Sequence, residues 1–210
     1  MTNRIIFHLL LVFLFLSCSN LENVEVKEGN VVTESYTRRK SDFAKHGTYN
    51  RFSPEGKLIE QAEYHDNKLH GKQAFFYPNG EVQEFVHYEN GTHHGDYKTF
   101  FDDGQVELEG EYVNGTMEGE LKAYYPSGQL KEVVIFEKGE ERGPFKEYYK
   151  NGNLKTEGTY NGADPDTDVA LEHGELKKYD EHGEHFQTME CTNGRCQTTW
   201  LREGTDVNAE

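Results

Sequence analysis

The sequence predicts an all-β protein: an elongated single-layer antiparallel meander of repeated hairpins, open and twisted into a trough. Three observations carry this. Two glycines nine residues apart recur six times, at Gly47/Gly56, Gly71/Gly80, Gly95/Gly104, Gly119/Gly128, Gly143/Gly152 and Gly174/Gly183, and the first five pairs start 24 residues apart. A fixed period in this range marks stacked supersecondary units. An aromatic stands five residues after each leading glycine, at Phe52, Phe76, Phe100, Tyr124, Tyr148 and Tyr179. Two turn signals then alternate. The first is of the type Tyr77-Pro78-Asn79-Gly80. The second is Asn90-Gly91 or Asn114-Gly115, a strong short hairpin signal.

Residues 1–17 have the form of an export signal. Arg4 supplies a positive start, and the apolar run Ile5 to Leu16 is too short for a stable membrane span. Ser17 before Cys18 resembles a bacterial lipobox, with Phe15 where leucine is commoner, so Cys18 is the expected acylated first residue of a mature lipoprotein. A plain secretory signal with an incidental cysteine is the alternative. An acyl chain tethers a protein to a membrane without inserting it. Residues 18–45 read as a tether followed by a degenerate opening strand: 19–28 are short and acidic, and Gly29 to Tyr36 loosely resembles Gly152 to Tyr160.

Residues 46–196 hold the six units, each strand, turn, strand, turn. Two residues past each first turn sits an aliphatic (Leu58, Val82, Val106, Leu130, Leu154), and six further on a closing aromatic (Tyr64, Tyr88, Tyr112, Phe136, Tyr160). Simple alternation places Leu130, Val134 and Phe136 on one face, with Lys131 and Ile135 on the other. No segment is long enough for a covering helix. About 12 strands spaced ~4.8 Å make a sheet roughly 55 Å long. Residues 197–210 are read as a capping strand and tail; Trp200 falls where a seventh unit would place an aromatic.

The His-Gly that opens units at His46-Gly47, His70-Gly71, His94-Gly95 and His173-Gly174, the following aromatic, and the Tyr-x-Asn-Gly close together resemble the MORN repeat in its bacterial variant form. Proteins of that form are often labelled YwqK-type antitoxins. The resemblance covers roughly residues 46 to 200 and implies an elongated β-hairpin array used for protein or lipid contacts and scaffolding. It implies no catalytic set. Asn67 stands in place of the second-turn glycine, and Glu118 and Arg142 replace the histidine.

Cys191 and Cys196 flank Thr192-Asn193-Gly194-Arg195, and Cys191 occupies a closing-aromatic position. The pair is expected to face across the last hairpin and form a disulfide in an oxidising envelope; a reactive or metal-binding thiol pair is the alternative.

The chain carries a formal charge of −16, or −17 after Arg4 leaves with the signal. That balance argues against nucleic acid, which needs basic clusters, and against docking of the trough on anionic lipid. Solubility and protection of strand edges account for most of it, and cationic partners remain compatible. The repeat histidines recur two strands apart, about 9–10 Å, so they do not converge on one ion, and no metal is expected there. Asp164, Asp166 and Asp168 in the seven-residue insertion form a weak calcium candidate, opposed by Pro165 and by Val169 where a calcium loop needs glycine. No nucleophile elbow or phosphate loop is present, and no enzyme activity or cofactor is expected.

The expected function is that of a bacterial envelope lipoprotein, anchored to a membrane through Cys18, whose repeat array binds a protein partner. The candidate contact residues are Tyr49, Phe76, Tyr97, Phe100, Tyr124 and Tyr148, aromatics whose area would anchor a partner while neighbouring acids set selectivity. The alternatives are an antitoxin of a toxin–antitoxin pair, and a peptidoglycan, glycan or lipid binder.

Overall fold

A computed structural model describes residues 20–205. They form one open antiparallel sheet without helices, its strands hydrogen-bonded in chain order except for a short strand set beside the main path. The leading hairpin is β1 (Leu21–Glu28) and β2 (Val31–Arg39). Ten strands follow as five hairpins: β3 (Lys45–Phe52) and β4 (Leu58–His65); β5 (Lys68–Phe76) and β6 (Val82–Glu89); β7 (Thr92–Phe100) and β8 (Val106–Val113); β9 (Thr116–Tyr124) and β10 (Leu130–Glu137); β11 (Glu140–Tyr148) and β12 (Leu154–Ala163). Then come the short β13 (Ala170–Glu172), the sixth hairpin β14 (Gly174–Tyr179) and β15 (His185–Thr192), and the terminal β16 (Arg195–Leu201).

The twelve strands expected from six units are all present. The sheet is longer than that because β1 and β2 extend it at one end and β16 at the other, while β13 lies beside β12. Of these, β2 covers the expected opening strand and β16 is the expected cap. Residues 21–28 are a correction, because they are a strand paired along its length with β2 and not a tether. The alternation of Val24 and Val26 with charged neighbours carried a strand signal that the acidic residues obscured.

Each first turn closes in the same way. The residue after the aromatic donates its N–H to a carbonyl four residues on, as in Tyr77 N to Glu81 O and Tyr125 N to Gln129 O, at 2.8 Å in both. The glycine, Gly80 at φ 94° for instance, takes a conformation that a Cβ would oppose. In the second turns both central residues have positive φ, as in Asn90 (51°) and Gly91 (89°), which suits a two-residue hairpin whose twist matches its strands. Asp66 and Asn67 make the same turn at 50° and 64° without glycine.

A register slip beside every first turn corrects the expected faces. Leu130 pairs with Tyr124 while Glu132 pairs with Ala123, so Lys131 is an extra residue in β10. Leu130 therefore lies on the face of Tyr124, opposite Val134. The equivalent slip separates Phe75 from Phe76 and Glu147 from Tyr148. A bulge of this kind re-aims everything on one side of it.

The pairing defines two faces. One carries a buried middle row of Tyr49, Ala62, Val86, Val134, Phe145 and Leu176. A core cluster of Val134, Phe145, Leu176 and Cys191 gathers at its C-terminal end, flanked by Leu121, Phe136, Tyr160 and Met189. The other face is charged along its centre: Lys98 meets Glu109 at 2.8 Å, and Lys146 lies 3.7 Å from Glu157. The units are also stitched along the first-turn edge. The hydroxyls of Tyr77, Tyr125 and Tyr149 donate to the carbonyls of Phe100, Tyr148 and Tyr179 at 2.7–2.9 Å, each one unit further on.

Candidate binding surface

The closing aromatics and the middle row share the first face, and their rings form a ladder. Tyr36 and Tyr49 lie 6.4 Å apart between ring centroids; Tyr49 and Tyr64 meet edge to face at 5.8 Å. Further along, His93 sits between Tyr88 (4.6 Å) and Tyr112 (4.9 Å), and Tyr97 meets Tyr112 at 5.7 Å. Edge-to-face contact suits the charge distribution of aromatic rings. At the far end Phe145 and Tyr160 stack at 4.0 Å.

Lys45 is seated against this ladder. Its ammonium lies 5.0, 4.4 and 5.3 Å from the ring centroids of Tyr36, Tyr49 and Tyr64, a cage of three π faces around one cation. Carboxylates stand beside the rings. Glu60 accepts from Arg51 at 2.8 Å and from Gln73 at 2.6 Å, and Glu34 and Glu84 occupy the same row. Burial, reinforced by these carboxylates, raises the phenol of Tyr49 to about 12 and pushes those of Tyr64, Tyr88 and Tyr97 upward. Farther along, burial raises the carboxyl of Glu132, with Glu147 and Glu141 adding repulsion.

The six aromatics nominated from the sequence do not form one row. Tyr49 and Tyr97 belong to the ladder. Phe76, Phe100, Tyr124 and Tyr148 are on the opposite face, beyond the register slips, where Tyr124 donates to Glu109 at 2.6 Å. Tyr49 is only 7% exposed and serves the packing of the sheet. Tyr36, Lys45, His93 and Tyr112 were missed as site residues. The two tyrosines were visible in the repeat pattern, whereas Lys45 and His93 stand at a position that varies from unit to unit, and the convergence of all four depends on the pairing register.

Cys191 and Cys196 are directly opposite in β15 and β16 and form a disulfide, with Cα atoms 4.0 Å apart. Cys18 lies outside the described residues. In the insertion, one oxygen of Asp164 accepts from the N–H groups of Asp166 and Thr167 and from the Thr167 hydroxyl, at 3.0, 3.0 and 3.1 Å. Those bonds hold its carboxyl below the usual range and commit that oxygen to shaping the loop. Asp164, Asp166 and Asp168 are not brought together with one ligand atom each. A different group is: His46, His65 and Asp66, whose ligand atoms lie within 4.8 Å of one another. Hollows of about 190 Å³ between Phe145, Tyr160, Leu176 and Phe186 and of about 430 Å³ between Pro144, Phe145, Gly158 and His173 lie in the same C-terminal part of the sheet.

Five stretches of the chain, residues 45–66, 69–91, 94–114, 117–138 and 141–161, match the MORN repeat variant family. The chain belongs to that family. Each matched stretch begins in the first strand of a hairpin; the first four end at its second turn and the fifth within β12, so the MORN repeat variant here corresponds to one hairpin. The sixth hairpin, β14 and β15, lies beyond the matched stretches yet keeps the register slip, between Lys178 and Tyr179, and the first-turn bond from Asp180 N to Glu184 O. No curated protein matches the chain.

Proposed function

We propose that this chain is a bacterial envelope lipoprotein, tethered through Cys18, whose tyrosine ladder and glutamate row bind a lysine- or arginine-bearing segment of a protein partner. Its MORN repeats are consistent with a protein- or lipid-binding module. The observation that favours a cationic protein segment is the seating of Lys45 over Tyr36, Tyr49 and Tyr64. The same rings continue as Tyr88, Tyr97 and Tyr112, with Glu84 alongside. A net charge of −16 adds long-range attraction for such a partner and repulsion for anionic lipid.

The test uses the mature chain and a lysine-rich peptide as probe. Binding should weaken as salt rises, because exposed charges are screened within about 8–10 Å at moderate ionic strength. Replacing Glu60 and Glu84 by Gln should weaken it while leaving the circular dichroism spectrum unchanged. Binding that ignores both salt and the double substitution would refute the site. Cross-linking from Tyr97 in native envelopes then identifies what is bound; recovery of anionic lipid or peptidoglycan in place of a protein rejects the assignment. Cys18→Ser should move the protein from membranes to the soluble fraction, and continued attachment of that variant rejects the tether.

A further inference from the structure

We propose that His46, His65 and Asp66 form a binding site for a divalent transition metal of the zinc class, on the face opposite the tyrosine ladder. His46 in β3 and His65 in β4 are cross-strand neighbours, since the next pair along is Gly47 with Tyr64. Their rings lie 4.6 Å apart, edge to face. Asp66 follows in the second turn. Its Oδ1 is 3.3 Å from His46 Nδ1, and its Oδ2 is 3.9 Å from His65 Nε2. One ligand atom from each residue falls within 4.8 Å of the others. Tetrahedral zinc with bonds of ~2.0–2.1 Å holds its ligand atoms roughly 3.3 Å apart. The closure needed is therefore about 1.5 Å, within reach of rotation about the side-chain bonds of partly or fully exposed groups. His70 in β5, with its ring 5.6 Å from that of His65, is the nearest imidazole to the fourth position. Its Nδ1 accepts from Asn90 N–H at 3.4 Å, so its Nε2 faces away from that bond.

The repeat itself argues that this cluster is not generic. The opening histidine of later units caps the next turn: His70 accepts from Asn90 N–H and His94 from Asn114 N–H, and Glu118 takes the same part toward Lys138. One period on from His65 and Asp66 stand Glu89 and Asn90, and another period on Val113 and Asn114. Only the first unit has histidine and aspartate there, so only there do the opening histidines of two successive units, His46 and His70, flank a third imidazole and a carboxylate. The expectation that repeat histidines cannot share an ion is met by an extra residue between them. The local charge is favourable as well. Arg39 contacts Asp66 at 2.9 Å, but it is shared with Asp42 at 2.7 Å, and the two carboxylates together leave one negative charge for an incoming cation. Imidazole nitrogen with a single carboxylate oxygen suits zinc, copper or nickel, whereas calcium and magnesium prefer all-oxygen shells. A metal here would clamp β3 to β4 at the first unit.

The experiment is calorimetric titration of tag-free, chelator-stripped mature protein with zinc, repeated with cobalt to read the visible bands of a tetrahedral site. One ion per chain and tetrahedral cobalt bands are expected. His65→Ala and Asp66→Asn should each weaken binding roughly tenfold or more, the loss of a ligand costing at least what loss of its supporting shell does. His94→Ala, a repeat histidine outside the cluster, should bind as the unaltered chain does. All three positions are on the sheet surface, and an unchanged circular dichroism spectrum excludes unfolding as the cause. Failure to take up one equivalent at micromolar zinc overturns the proposal. So does an equal loss in His94→Ala and His65→Ala.

Discussion

Phe145→Ala tests whether the first face is held together from its C-terminal end. Phe145 is 3% exposed, packs with Val134 and Leu176, stacks on Tyr160 at 4.0 Å, and lies over Gly158, its partner in β12. A phenylalanine buries on the order of 200 Å², which at about 25 cal/mol per Å² gives ~5 kcal/mol as an upper bound. Buried Phe→Ala changes cost about 3–5 kcal/mol. A single-layer sheet lets water reach the vacated space, which selects the lower end, about 3 kcal/mol. Stability in a repeat array is a sum of unit and nearest-neighbour terms, so the loss should be local. Trp200 is the only tryptophan and stands in β16, stacked on His185 at 4.7 Å, so its fluorescence reports the C-terminal end. In urea, the Trp200 transition of Phe145→Ala should precede the loss of far-ultraviolet circular dichroism, which the N-terminal hairpins dominate. Phe76→Ala, on the other face and half-buried, should cost less than half as much. Coincident transitions at an unchanged midpoint, or equal losses in the two variants, would refute the reasoning.

Gly158→Ala should lower the melting temperature by overpacking, because its Cβ would fall 2.7 Å from Leu176 Cδ1 and 2.9 Å from Phe145 Cε1; about 1–3 kcal/mol is expected from denaturant titration. Tyr125→Phe removes the hydroxyl that bonds Tyr148 O at 2.8 Å and should cost about 1 kcal/mol by the same measurement. Phe101 occupies the equivalent position natively, so Phe101→Tyr is the reciprocal test. For Glu132 the folded carboxyl is raised above its unfolded value, so the folded state binds the proton more tightly. Its contribution to stability is complete below the unfolded pKa and is lost as pH rises through the folded one. Glu132→Gln should therefore raise the melting temperature at pH 7 and flatten its fall between acid and neutral pH, read by calorimetry.

The turns were legible in the sequence because their chemistry is local. Gly80 and the Asn90-Gly91 pair state their backbone conformations without reference to any other strand. The terminal clamp was legible for a related reason, as the phase of the repeat put Cys191 where a closing aromatic belongs and five residues of hairpin did the rest. The faces were less so. Alternation is reliable only between bulges, and one extra residue at Lys131 separates Leu130 from Val134 and divides the nominated aromatics between two surfaces. The leading hairpin lacked the glycine pair that marks the others. The histidine–aspartate cluster was hidden because counting equivalent positions compares residues two strands apart, while His46 and His65 are non-equivalent residues on adjacent strands.

A sheet one layer thick has no second layer to bury its apolar face, and the arrangement of side chains answers that deficit. On the first face the middle row is filled by alternation of large with small: Ala62 is fully buried beside Tyr49, and Gly158 admits Phe145 and Leu176. The residues that fill gaps between successive closing aromatics are Lys45, Leu69, His93, Met117 and Glu141, one per unit and all different in chemistry. Packing fixes the size of that position more than its charge, so it can vary from unit to unit while the ladder persists. The first, third and fifth units then present different polar groups among the same rings, an ammonium, an imidazole hydrogen-bonded to Tyr88 and a carboxylate near Tyr160, while Leu69 and Met117 keep the second and fourth apolar. Under the proposed function, selectivity for a partner would follow from the order of these groups along the sheet and not from any single site. Exchanging Lys45 and Glu141 would preserve the ladder while reversing the polarity of the face from end to end.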